Sequence, residues 1–146
     1  MQSLENTMLI TDLDGTLLPA SKEISVADAA AISQFRAKGG KFAIATGRTL
    51  QAAQRYLKKL QPNIPVILFN GAAIYDPVAE KWLYTEELPP EAVAITRQVL
   101  EAFPDVSAEI LRTDGTYVSR MTPYEKEHLE ICQVEPILAM PEEIPH

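Results

Sequence analysis

Cysteine is almost missing from this 146-residue chain: Cys132 stands alone, which excludes an internal disulfide and fits a reducing cytoplasm. No apolar run approaches the roughly 18 residues that a membrane span needs, so no membrane partner is expected. The opening Met1-Gln2-Ser3-Leu4-Glu5-Asn6 has no basic segment followed by an apolar one and does not read as a secretion signal. Positive charge is also short, with 13 Lys and Arg against 20 Asp and Glu and a formal net charge of −7. No basic stripe is left to neutralise phosphates, which argues against nucleic acid as a partner. Arg55, Lys58 and Lys59 cluster beside Gln51 and Gln54, as on the solvated face of a helix. Internal repeats and low-complexity tracts are absent. What is present, 47% hydrophobic and 23% charged residues, is the composition of a soluble globular protein.

Met8 to Thr11 is a short apolar run ending at Asp12, as a strand buried on both faces would. Ser25 is an N-cap for a helix to about Ala37, with Val26, Ala29, Ile32 and Phe35 inward and Gly39-Gly40 as its stop. Lys41 to Thr46 reads as a second buried strand. Thr49 caps a second helix that turns Leu50, Ala53, Leu57 and Leu60 inward. Val66 to Phe69 is a third strand, ending at Asn70-Gly71. Strand, helix, strand, helix, strand with short links predicts an α/β fold with a parallel sheet.

Beyond residue 71 the pattern changes. Asp76-Pro77 between Ala73–Tyr75 and Lys81–Tyr84 predicts a hairpin, and Trp82 and Tyr84 are expected to pack under the module that follows rather than to bind a ligand. Pro89-Pro90 open a helix to Phe103, with Ala92, Ile95, Val99 and Phe103 inward. Thr113-Asp114-Gly115-Thr116 predicts a second hairpin, and Thr122-Pro123 a last helix. The expected division is 1–84 for the parallel part and 85–146 for a smaller α+β module.

Ligands of open parallel sheets bind outside the carboxyl ends of the strands. Asp12 and Asp14, Thr46, and Asn70 all fall there. Two carboxylates at that spacing lean to one side of an extended chain while Leu13 points to the core. They repel unless a cation or proton separates them, and hard oxygen donors of this kind suit Mg²⁺. Gly15 permits a sharp turn with amide groups facing an anion, and Thr16 and Thr46 offer hydroxyls to phosphoryl oxygens.

Asp12-Leu13-Asp14-Gly15-Thr16-Leu17-Leu18 after an apolar strand resembles the first motif of the haloacid dehalogenase superfamily. Ala45-Thr46-Gly47-Arg48 resembles its second motif, and Asn70-Gly71-Ala72 a loop of its Cof-type sugar-phosphatase branch. The resemblance implies a Rossmann-like core sheet followed by part of an α+β cap, and a cytoplasmic Mg²⁺-dependent phosphatase acting on small phosphorylated substrates, sugar phosphates by family expectation. It makes Asp12 the nucleophile that forms an aspartyl-phosphate, and Asp14 the acid and then the base. Asp12 and the Asp14 carbonyl would hold the metal. Gly15, Thr16, Thr46, Gly47, Arg48, Asn70 and Gly71 would hold phosphate or substrate, Arg48 being equally readable as a surface residue at a helix start.

The family's lysine after strand four and acidic pair after strand five have no counterpart before His146, so the chain reads as ending inside the cap. On that expectation the Met8–Asp12 strand becomes a bare sheet edge, which predicts a homodimer, a swapped assembly or poor solubility, and very low turnover. The alternative function is a weakly active or inactive fragment with a binding or regulatory role. A phospho-acceptor signalling domain and a phosphomutase are weaker rivals. Asp114-Gly115-Thr116 reads as a turn only, His128 and His146 as solvated side chains, and Cys132 as a small packing residue.

Overall fold

The computed structural model of the chain describes residues 3–144, and His146 lies outside them. Contacts divide the chain into two compact units, one through Glu86 and the other from Glu87.

In the first unit, β1 (Met8–Thr11) pairs in parallel with β2 (Lys41–Ile44), Met8 opposite Lys41 and Thr11 opposite Ile44. The crossover between them is α1 (Val26–Ala37), started by Ser25, whose Oγ accepts from the Asp28 amide at 2.9 Å. It ends at a left-handed Gly39, and Gly40 lies so close to the Phe35 ring that a Cβ there would meet it at 2.4 Å. A second crossover, α2 (Leu50–Leu60), starts at Thr49, whose Oγ1 accepts from the Ala52 amide at 3.1 Å. It leads to β3 (Val66–Leu68), joined to β2 by an isolated parallel bridge, Ala45 to Ile67. The antiparallel strands β4 (Ala73–Asp76) and β5 (Lys81–Thr85) then extend β3 into a three-stranded sheet. Leu13, Leu18, Phe42, Ile44, Val66 and Leu68 form the fully buried centre under these strands. Each such side chain contributes about 1.5–3 kcal/mol by leaving water.

Three expectations for this unit are corrected. β1 is not buried on both faces: Met8, Leu9 and Ile10 are 57%, 41% and 48% exposed, because among the described residues β1 pairs on one side only. Val26, the first residue of α1, is exposed and does not join the inward stripe, whose buried residue is Ile32. Trp82 packs inside the first unit, against the rings of Tyr75 and Phe69 at 5.0 and 6.0 Å, while Tyr84 is exposed with its hydroxyl on Glu86.

In the second unit, α3 (Glu91–Ala102) precedes an antiparallel pair, β6 (Glu109–Leu111) and β7 (Thr116–Val118), closed by the predicted turn. Next come α4 (Pro123–Cys132), capped by Thr122 Oγ1, and β8 (Pro136–Leu138), which lies parallel to β7. The inward stripe of α3 is misassigned by the sequence. Leu100 is its buried residue, and Ile95, Val99 and Phe103 are exposed.

Candidate active site

The turn after β1 is compact. Leu13, fully buried, anchors it, and its carbonyl accepts from the amides of Thr16 at 3.3 Å and Leu18 at 2.7 Å. Gly15, at φ 74°, supplies the left-handed residue this reversal needs, and its amide donates to the Leu18 carbonyl. Asp12 is exposed at the strand end, with Oδ1 accepting from the Leu13 amide at 2.7 Å.

Asp14 sits one residue beyond that anchor, and two cations converge on it. Arg48 donates from Nε to Oδ2 at 2.7 Å and from Nη2 to Oδ1 at 2.9 Å, a two-pronged pair. Lys22 Nζ donates to Oδ1 at 2.7 Å. The Arg48 hydrogen bonds, reinforced by those of Lys22 and by the charge of both, outweigh partial burial and hold the Asp14 carboxyl well below the usual carboxylate range. The Arg48 side chain is only 9% exposed and also lies over the Tyr56 ring at 5.2 Å, so it is not a surface residue at a helix start.

The second motif approaches from β2. Thr46 is buried and its Oγ1 accepts from the Arg48 amide at 3.3 Å; its own amide donates to the Ile67 carbonyl and its carbonyl accepts from the Asn70 amide. Gly47 lies against Asn70, and a Cβ there would sit 2.6 Å from the Asn70 side-chain oxygen. Phe69 and Asn70 are both left-handed, at φ 52° and 55°, followed by Gly71 at 100°. This tight reversal after β3 turns Asn70 back toward β2.

The sequence-predicted residues therefore meet in two linked sets, Asp14 with Arg48, and Thr46 and Gly47 with Asn70. Asp12 and Thr16 are exposed in the turn beside them. An open hollow of about 590 Å³ lies against residues 15–20, Lys22, Ser25 and Asp28. Lys22 and Tyr56 were missed. A lysine in the short link between the acidic turn and the Ser25 cap was the one available signal for the first; Tyr56 gave none beyond its place on the inner face of α2. A divalent cation would have the exposed Asp12 carboxylate and the Asp14 main-chain carbonyl as donors, hard oxygens of the kind that suits Mg²⁺, which commonly binds through one or two protein groups plus waters and phosphate. Among the described residues no group of three or more His, Cys, Asp or Glu gathers as a metal cluster. No helix among them is long and apolar enough to cross a membrane.

Residues 9–138 match the family profile of the haloacid dehalogenase-like hydrolases. The 5-amino-6-(5-phospho-D-ribitylamino)uracil phosphatase YitU of Bacillus subtilis is 30% identical over 125 residues, covering 84% of this chain and 44% of that protein. The HMP-PP phosphatase of Cronobacter sakazakii is 32% identical over 99 residues, covering 68% and 35%. Among solved structures, a haloacid dehalogenase-like hydrolase from Bacteroides thetaiotaomicron superposes with a TM-score of 0.83 at 19% identity, over 95% of this chain and 54% of that one. The subclass IIB sugar phosphatase BT4131 superposes at 0.80 with 26% identity, over 94% and 54%. The chain thus spans less than half the length of these curated relatives and about half of these structures.

Proposed function

Since the chain belongs to the haloacid dehalogenase-like hydrolase family, in its Cof-type phosphatase branch, we propose that it hydrolyses small phosphorylated metabolites through Asp12 and Asp14. The observation that carries this reading is the pairing of Asp14, from the turn after β1, with Arg48, from the segment after β2. It brings the first and second motifs to one place, where the strand ends of a parallel sheet receive ligands.

In this reading Asp12, exposed at the tip of β1, attacks phosphorus and takes the phosphoryl group as an acyl phosphate, the P–O bond to the leaving alcohol breaking as the new one forms. Asp14, two residues on, gives the leaving oxygen a proton once its carboxylate has exchanged the contacts with Arg48 and Lys22 for one from solvent, and then takes a proton from the water that hydrolyses the acyl phosphate. The Thr46 hydroxyl, the Gly47 amide and the Asn70 side chain hold phosphoryl oxygens, with Gly15, whose amide closes the turn on Leu18, Thr16 and Gly71 at the rim. Asp12 and the Asp14 carbonyl would hold Mg²⁺, which when bound would supply the positive charge that lets two anions approach. Residues 85–146 form part of a cap that selects the substrate. The relatives named above are a 5-amino-6-(5-phospho-D-ribitylamino)uracil phosphatase, an HMP-PP phosphatase and a sugar phosphatase, which supports a small phosphorylated metabolite as substrate. The single cysteine supports a cytoplasmic location.

Beryllium fluoride with Mg²⁺ mimics the acyl phosphate on a nucleophilic aspartate, and ¹⁹F NMR of the purified chain reads it directly. A bound resonance is expected, lost on chelation of Mg²⁺ and lost in Asp12→Asn. A wild-type chain that binds none, or an Asp12→Asn chain that binds it equally, would defeat the reading.

A further inference from the structure

We propose that Lys22 is a positioning residue for the Asp14 carboxylate, and that Tyr56 fixes it in that role; the inference rests on Asp14 being the proton carrier. Lys22 lies at φ 57°, a left-handed conformation that costs a residue with a side chain roughly 1–2 kcal/mol. Two backbone hydrogen bonds hold it there. Its amide donates to the Pro19 carbonyl at 2.9 Å, closing the turn, and its carbonyl accepts from the Tyr56 hydroxyl at 3.0 Å. Tyr56 is 3% exposed and lies on α2, so a rigid element sets the link.

The same ring lies beneath the Arg48 guanidinium, 5.2 Å from its centre, and receives a hydrogen bond on its oxygen from Arg55. One buried side chain thereby orients both cations that hold Asp14. They divide the work. Arg48 is nearly buried and grips both carboxylate oxygens, whereas Lys22 is 38% exposed and binds Oδ1 alone from the open side. An ion pair this exposed is worth about 0–1 kcal/mol to the fold, too little to account for a strained backbone held by a buried hydroxyl. Strain of this kind persists where geometry is used. Fixing the carboxylate from two directions selects one orientation in which, as the base, it takes the proton of the attacking water.

The test compares wild type with Lys22→Ala, Lys22→Arg and Tyr56→Phe, using para-nitrophenyl phosphate and Mg²⁺. Loss of positioning lowers kcat about tenfold in Lys22→Ala with KM held within about twofold, since the lost contact serves the transition state and not binding. Lys22→Arg restores most of the loss, and Tyr56→Phe falls between. In parallel, the Lys22 ammonium gives a slowly exchanging ¹H–¹⁵N signal in wild type that vanishes in Asp14→Asn and weakens in Tyr56→Phe. Unchanged kcat in Lys22→Ala beside an active wild type, or an ammonium signal indifferent to Asp14→Asn, overturns the assignment. Where wild-type turnover is too slow to measure, the ammonium spectrum alone decides for or against Lys22, while beryllium fluoride binding decides the phosphatase reading.

Discussion

Gly47 and Asn70 come from different strand ends and touch, the glycine leaving room that any side chain would fill. A Cβ at Gly47 would stand 2.6 Å from the Asn70 amide oxygen and 3.1 Å from its nitrogen. Because those atoms end an exposed, flexible side chain, Gly47→Ala displaces the amide instead of unfolding the strand. The expected result is a loss of about 1 kcal/mol or less in urea unfolding, together with several-fold weaker beryllium fluoride binding by ¹⁹F titration. At this scale the sequence was only half legible. Asp12, Asp14, Thr46 and Asn70 could be placed from their positions after apolar runs, since a parallel sheet aligns its strand ends. The grip of Arg48 and Lys22 on Asp14 could not, because it joins residues 34 and 8 positions apart through a tertiary fold.

Local chemistry fixes the helices more firmly. Ser25, Thr49 and Thr122 each accept a hydrogen bond from the amide three residues on, and each begins its helix where a capping residue should. Thr49 is buried at the start of α2, directly after Arg48. Thr49→Ala is expected to cost about 1 kcal/mol in chemical denaturation and to loosen the Arg48 grip, seen as a weaker Lys22 ammonium signal. Elements failed to announce themselves where tertiary packing overrode local pattern. Pro136 removes a donor and disguised β8, which survives because proline tolerates the first residue of a strand. In α3 the apolar stripe of Ile95, Val99 and Phe103 follows helical spacing, yet Leu100, one step round the helix, is the residue the second unit buries. Periodicity identified the helix without showing which side its neighbours would cover.

Across the whole molecule the two units answer pH differently. In the second, burial and a hydrogen bond with the buried Glu125 raise the Glu109 carboxyl from its ordinary value to about 7, with His128 at 3.6 Å on its other side. The folded unit then holds a proton that the unfolded chain has already released. Its stabilising contribution is complete below about pH 4.5 and lost as pH rises through about 7. Hydrogen exchange at β6 and β7 should therefore quicken between those values, and Glu125→Gln should flatten the change. In the first unit Asp14 acts in the opposite sense: its lowered value makes its contribution full at neutral pH and lost only in strong acid. A different coupling runs along the seam where the two sheets of that unit meet. Thr46 donates to Ile67 and accepts from Asn70, so one residue just past β2 stitches that segment to β3 and to the reversal after it. When that stitch opens, the amides of Thr46 and Asn70 are released to solvent together, and their deuteration should keep the same clock.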